Sequence, residues 1–395
     1  MQACTGARFA ILASEIFDGF AMRGRGALVI EGDRVLGFGA SGDLSSEMIQ
    51  ISLPHGHVLA PGFVDWQVNG GGGVLLNDDP AEPALRTIVE AHRAFGTTSL
   101  MPTLITDAAG TMERLGALDP KAIPGVLGFH LEGPFINSGK RGAHPAEHVR
   151  SLMPDDVECL ATFAEKAACI VTLAPERVPP GAIRALFDSG VIVSLGHSNA
   201  SAECVRAAVD EGARCVTHLF NAMSQIGPRE PGMVGAALAD SRLFAGVIAD
   251  GEHVASLNLR LAHSTMGADR LTLVSDAMPS VGAREAKFRL MGRDVTLEKG
   301  RLSLADGTLA GAHLTAAEAV KRMVRLAHAP LPDALRMATR TPARLLGLED
   351  EIGMLRPGAR ADIVALDAAL NVTRVWQRGE PIAPRSLVAA EDAAA

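Results

Sequence analysis

The sequence predicts an α/β protein: a (β/α)8 TIM barrel with a small β-sandwich domain formed by both chain ends. Three observations carry this. The central part alternates short apolar runs with helical stretches, eight times over. The two ends share a different texture, turn-rich with short alternating segments. Four polar residues, Glu132, His197, His218 and Asp276, each close an apolar run in the central part.

In chain order, residues 1–58 supply the first part of the sandwich. Ala27-Leu-Val-Ile and Val35-Leu-Gly-Phe read as a hairpin around Gly32-Asp33. Residues 59–357 form the barrel. Its strands are expected near 62–66, 97–103, 125–131, 169–174, 191–196, 214–218, 244–249 and 271–275. Helical stretches intervene, such as 83–95, 201–211 and 253–263. Residues 358–395 return to the sandwich with Ala361-Asp-Ile-Val-Ala-Leu and Val372-Thr-Arg-Val-Trp-Gln, and 387–395 form a frayed tail. An open doubly wound sheet is the competing architecture. The barrel is preferred because strand ends 3, 5, 6 and 8 converge there, whereas an open edge spreads them out.

Composition narrows the function. The chain has 395 residues, 48% hydrophobic, enough for a sizeable core. Lys plus Arg is 37 against Asp plus Glu 45, a net charge of −8, and no basic run is present. A nucleic-acid surface is therefore not expected, and an anionic substrate needs local cations. No apolar stretch approaches the ~20 residues of a membrane helix. Cys4, Cys159, Cys169, Cys204 and Cys215 form no Cys-x-x-Cys pair, which suits reduced thiols in a cytoplasm. Glu15 and Asp18 interrupt any signal-like start.

The strand-end residues carry the chemistry. Glu132 lies in His130-Leu-Glu-Gly-Pro, where no helix continues and a buried charge needs a partner. His197 lies in Leu195-Gly-His-Ser-Asn-Ala and His218 in Val216-Thr-His-Leu-Phe-Asn. A carboxylate and two imidazoles make a three-ligand metal set with one position open. Asp276, in Val274-Ser-Asp-Ala, is placed as the group that moves protons. The bland readings are a cap for Glu132 or Asp276 and satisfied core imidazoles for the histidines. Gly196-His-Ser-Asn-Ala also approximates a nucleophile elbow on Ser198. Its fifth position is Ala, and Ser198 or Asn199 is explained as a helix N-cap. His144, Arg229 and His253 lie on loops after barrel strands, where solvated or structural roles are the default.

Two patterns are set aside. His55-Gly-His57 has the spacing of a metal pair but precedes the barrel. Gly70 to Gly73 lacks the Lys-Ser/Thr of a phosphate loop and reads as a mobile loop after strand 1.

Pro61-Gly-Phe-Val-Asp-Trp-Gln-Val-Asn-Gly, His130-Leu-Glu-Gly-Pro-Phe, Gly196-His-Ser, Thr217-His-Leu-Phe-Asn-Ala-Met, Asp250-Gly-Glu-His, Val274-Ser-Asp-Ala and Thr341-Pro-Ala occur in that order. Over about residues 59–367 the chain resembles the N-acetyl amino-sugar 6-phosphate deacetylases of the amidohydrolase superfamily. The resemblance implies hydrolysis of the acetamide of N-acetylglucosamine 6-phosphate to glucosamine 6-phosphate and acetate, in amino-sugar catabolism. It implies Glu132, His197 and His218 as metal ligands, Asp276 as acid/base, and His144 as the group that polarises the acetyl carbonyl. It implies substrate contacts from Asn221, Ala222, Leu309, Ala310 and Gly311, and phosphate contacts from His253 and Arg229. Arg229 resembles a residue that reaches the neighbouring active site of a homodimer.

Many amidohydrolases carry His-x-His at strand 1, whereas this chain has Gln67-Val-Asn69. Carboxamides are weak ligands for a second metal. One divalent ion per subunit is expected, zinc first, with Fe2+, Co2+ or Mn2+ filling the same ligands, and Gln67 contacting water or substrate. A related substrate such as N-acetylgalactosamine 6-phosphate, and a catalytically inactive phosphosugar sensor, are the competing functions.

Overall fold

The computed structural model describes residues 8–382 apart from 41, 43 and 109. Cys4 and the expected tail lie outside them.

Eight strands pair in chain order, all parallel: Phe63–Val68, Thr97–Ile105, Gly128–Glu132, Ala168–Leu173, Ile192–Leu195, Cys215–Val216, Phe244–Val247 and Leu271–Leu273. Phe63–Val68 is buried at every position, as a parallel strand covered on both faces must be. The third strand starts at Gly128 rather than 125, because Leu100 N donates to the Gly125 carbonyl and Val126 only bridges to Leu100.

The eighth and first strands close the ring beyond their regular ladders. Asp276 N donates to Gln67 O (3.0 Å), and Asn69 N and Gly70 N donate to Ala277 O (both 2.9 Å). The Asp65 carboxylate accepts the Ser275 N–H at 3.1 Å, standing in for a backbone carbonyl at the seam. Trp66 fills the interior beside it, fully buried, its Nε1 donating to Thr272 Oγ1 at 2.9 Å.

Helices pack outside. The first, Glu82–Arg93, buries Leu85, Ile88, Val89 and His92. Ala202–Glu211 is capped by Ser201, whose Oγ accepts the Cys204 N–H. This corrects the expected cap: Ser198 Oγ instead donates to Glu176 at 2.6 Å. Ser256–Met266 begins three residues later than expected, because the Asp250 side chain holds the Glu252 and His253 N–H groups in a turn.

Both chain ends build the small domain. Arg8–Ala13, Gly26–Glu31, Arg34–Gly39 and Ile49–Ser52 form one sheet. Glu15–Ile16, Val58–Pro61, Ile363–Leu366, Val372–Gln377 and Glu380–Ile382 form the other. Phe9, Ile11, Leu28, Ile30, Leu59, Ile363 and Trp376 fill its core. The Gly32-Asp33 hairpin is present, with the positive φ (+59°) that a tight connection asks of its first residue. Val58–Pro61 crosses the expected boundary at 58/59, since it pairs with Ile363–Leu366.

Two further features differ from expectation. Gly70–Gly71 is a buried ribbon paired with Val74–Leu75, not a mobile loop. Gly72 N and Gly73 N donate to Val281 O and Pro279 O, and a Cβ on Gly70 would sit 2.4 Å from Val74 O. Gly70 thus serves close backbone approach. The other is a three-stranded insertion, Lys287–Leu290, Arg293–Glu298 and Arg301–Leu304, not foreseen from sequence. It packs Leu290, Val295 and Leu302 on Leu75, Ile105 and Met278.

Among the described residues no helix is long and apolar enough to cross a membrane. Cys159, Cys169, Cys204 and Cys215 are unpaired, and burial pushes the Cys215 thiol up to about 12.

Candidate active site

Three of the four strand-end residues adopt the left-handed backbone that non-glycine residues avoid: His197 (φ +47°), His218 (+32°) and Asp276 (+49°). Such strain persists only where surrounding structure enforces it, and it clusters at functional sites. Glycines make room. A Cβ on Gly133, after Glu132, would lie 2.2 Å from Thr106 Oγ1, and one on Gly196 would lie 2.8 Å from Thr172 Cγ2.

The side chains converge. Glu132 Oε1 lies 3.1 Å from His197 Nε2 and 2.9 Å from His218 Nε2, and the two imidazole nitrogens are 3.0 Å apart. All three residues are at most 5% exposed. His197 Nδ1 donates to the Lys140 carbonyl at 2.8 Å, which turns the Nε2 lone pair of the neutral ring inward. A carboxylate oxygen and inward imidazole lone pairs at these distances repel unless a proton or a cation lies among them. The donor set is that of a divalent metal.

Electrostatics agree. Burial opposes charge on Glu132, but the adjoining His197 and His218 imidazoles outweigh it and hold the carboxyl well below its usual range. Burial likewise opposes charge on His218, but Glu132 outweighs it and raises the imidazole pKa. Positive charge is thus favoured where a cation would sit.

His144 makes a second, overlapping trio with Glu132 and His197, whose ligand atoms lie within 4.8 Å of one another. Its Nε2 is 4.0 Å from Glu132 Oε2. Its Nδ1 faces Thr106 Oγ1 at 2.8 Å and the Thr106 backbone N–H at 3.4 Å. That N–H makes Nδ1 the acceptor and leaves hydrogen on Nε2. Burial, with His197, lowers the pKa of His144 to about 3, so the ring is neutral. An inward N–H suits a hydrogen-bond donor better than a ligand.

Asp276 is 8% exposed. Its Oδ1 accepts from Asn69 Nδ2 (2.6 Å) and Gln67 Nε2 (3.3 Å). Burial and the Glu132 charge push its carboxyl up to about 6. Gln67 also donates to Glu132 Oε1 at 3.1 Å and is fully buried. Its amide nitrogen bridges two carboxylates, so the expected contact with water or substrate falls to its Oε1, which has no protein donor among the described residues.

A cavity of about 410 Å³ opens over this centre. His144, Asn221, Ala222, His253, Leu309 and Gly311 line it with the four strand-end residues. Ala310 is fully buried, turned into the core of the insertion. Arg229 is exposed and does not line the cavity of its own chain. His55 and His57 lie in the turn before Val58–Pro61, in the small domain. Ser198 is fully buried and hydrogen-bonded to Glu176, which disfavours a nucleophile.

Sequence reasoning missed Asp65, the role of Asn69, and Asp250. The signal for Asp65 was a charge inside an otherwise apolar strand. That for Asp250 was a carboxylate three residues before a cavity-lining histidine.

Residues 58–383 match the model of the amidohydrolase family. The chain is 41% identical over 326 residues to the N-acetylgalactosamine-6-phosphate deacetylase of Shewanella sp. (strain ANA-3), covering 82% of each chain. It is 39% identical over 342 residues to the N-acetylglucosamine-6-phosphate deacetylase of Homo sapiens, covering 82% of this chain and 83% of that one. The crystal structure of N-acetylglucosamine-6-phosphate deacetylase from Pasteurella multocida superimposes with a TM-score of 0.90 at 33% identity, covering 95% of this chain and 99% of that one.

Proposed function

The chain belongs to the amidohydrolase family of metal-dependent hydrolases, and from that premise we propose that it hydrolyses the acetamide of N-acetyl-D-glucosamine 6-phosphate to D-glucosamine 6-phosphate and acetate. The supporting observation is the buried Glu132–His197–His218 trio with Asp276 at the floor of one cavity. The reaction serves amino-sugar catabolism or cell-wall recycling in the cytoplasm.

Glu132, His197 and His218 would hold one divalent cation, zinc by donor chemistry, although iron, cobalt or manganese suits the same ligands. When bound, such a cation polarises the amide oxygen and lowers the pKa of water. Asp276, its Oδ1 fixed by Asn69 and Gln67, accepts the proton of the attacking water and passes it to the departing amine. His144 donates its Nε2 hydrogen to the carbonyl oxygen as negative charge develops. Asn221 and Ala222 contact the sugar, and Leu309–Gly311 closes one wall. His253 of the same chain and Arg229 of the partner subunit bind the 6-phosphate in a homodimer, which holds the amide over the centre.

A galacto-configured substrate is the second reading, favoured by the 41% identity to the Shewanella enzyme. Acetate release from the gluco and galacto 6-phosphates, side by side, separates the two. A kcat/KM for the galacto sugar equal to or above that for the gluco sugar contradicts the first assignment, and absence of acetate from both contradicts deacetylation.

A further inference from the structure

Asp250 follows the seventh barrel strand, Phe244–Val247, and is 7% exposed. Its two carboxylate oxygens do different work. Oδ1 accepts the Glu252 and His253 N–H groups at 2.9 and 2.8 Å, folding the loop into a tight turn. Oδ2 accepts from His253 Nδ1 at 2.6 Å, a short charge-assisted contact. Arg322 Nη1 donates to the Asp250 carbonyl and ties this turn to the helix Ala316–Leu326. The turn alone needs only Oδ1. The second oxygen is spent on the imidazole, and burial does not neutralise it: His253 outweighs the desolvation and holds the Asp250 carboxyl below its usual range.

The cavity itself poses an electrostatic problem. The chain carries a net charge of −8, and two of its carboxylates, Glu132 and Asp276, lie at the cavity floor. A phosphate entering it meets few free cations. His197 and His218 are committed to Glu132, His144 is neutral, Lys140 lines the cavity but its Nζ donates to the Met223 carbonyl at 3.3 Å, and Arg229 is not in the lining. His253 is in the lining, and its Nδ1 is already occupied, so Nε2 is the nitrogen left for a ligand.

Resting on the reading that the substrate carries a 6-phosphate, we propose that Asp250 is a positioning residue for that phosphate: it fixes the His253 ring with Nε2 toward the cavity. The phosphate then meets a rigid partner at Nε2, without the rotamer entropy a lysine would lose.

Asp250→Asn tests this with little change of shape. The amide oxygen preserves the turn, but the amide NH2 replaces the acceptor facing Nδ1. The Nδ1–H then loses its acceptor and the ring its fixed orientation. For N-acetylglucosamine 6-phosphate the expected result is a KM raised about tenfold or more, the order of a lost charge-assisted interaction, with kcat within about twofold. In a His253→Asn background Asp250→Asn should add no further loss, because both changes remove one interaction. Additive losses, or a fall in kcat at unchanged KM, would overturn the assignment. The wild-type enzyme assayed on N-acetylglucosamine with and without the phosphate separates the two levels. Equal kcat/KM for both sugars refutes the phosphate reading and this inference with it. A wild-type preference for the phosphate that Asp250→Asn leaves intact refutes the role of Asp250 alone.

Discussion

Asp276→Asn is expected to move activity and stability in opposite directions. The substitution keeps the size of the side chain and removes its charge and basicity. General acid–base catalysis contributes about 10²- to 10⁴-fold, so kcat should fall by that factor, with the bound cation retained. Stability follows from the carboxyl being pushed from 3.8 up to about 6 by burial and by Glu132. A raised carboxyl pKa means the folded state favours the protonated form. The cost of the charge is therefore absent below about pH 4, grows as pH rises through 4 to 6, and is fully present above 6. A rise of that size corresponds to roughly 3 kcal/mol in the cation-free protein. The variant, freed of that charge, should melt a few degrees higher than wild type in chelator at pH 8 and close to it at pH 4. Acetate release measures the first effect and thermal melting in chelator the second. Near-wild-type kcat refutes the proton-transfer role. A variant that loses both activity and melting temperature refutes the view that Asp276 is strained for function.

The other predictions concern neighbouring groups. His218→Asn should abolish stoichiometric cation binding, whereas His144→Asn should retain the cation and lose kcat; elemental analysis beside acetate release distinguishes them. Because Asp276 works ionised, kcat/KM should fall as pH drops through its pKa. A cation nearby opposes the effect of burial, so this acid limb should lie at or below about pH 6; a limb above pH 7 contradicts the assignment. Asp65→Ala would leave the Ser275 and Gln67 N–H groups without their acceptor at the barrel seam. At about 1–3 kcal/mol for each buried unsatisfied donor, the urea midpoint should drop clearly. An unchanged midpoint would show that the seam does not depend on this carboxylate.

Much of the fold was legible because parallel strands announce themselves as apolar runs, and Glu132, His197, His218 and Asp276 stand where those runs stop. The sandwich was legible because both ends alternate alike. Other features are decided across the fold. Glycines 70 to 73 look mobile in sequence, yet Val74 and Pro279 press on Gly70 and His92 on Gly71, which leaves little room for a Cβ there. The insertion at 287–304 alternates around Met291-Gly292, but a hairpin inside a βα series breaks the expected rhythm. Asn69 and Asp65 act across the closure between the first and last strands, more than 200 residues apart, so local pattern carries no trace of either partner. Arg229 stays outside the cavity of its own chain, and a second subunit would be needed to bring one in.

The most direct test is an anomalous-difference map from crystals of the zinc-loaded protein. One peak is predicted, with bonds of about 2.0–2.2 Å to Glu132, His197 and His218 and none to His144. A peak bonded to His144 in place of His218, two peaks extending to Gln67 or Asn69, or no peak among these side chains would contradict it.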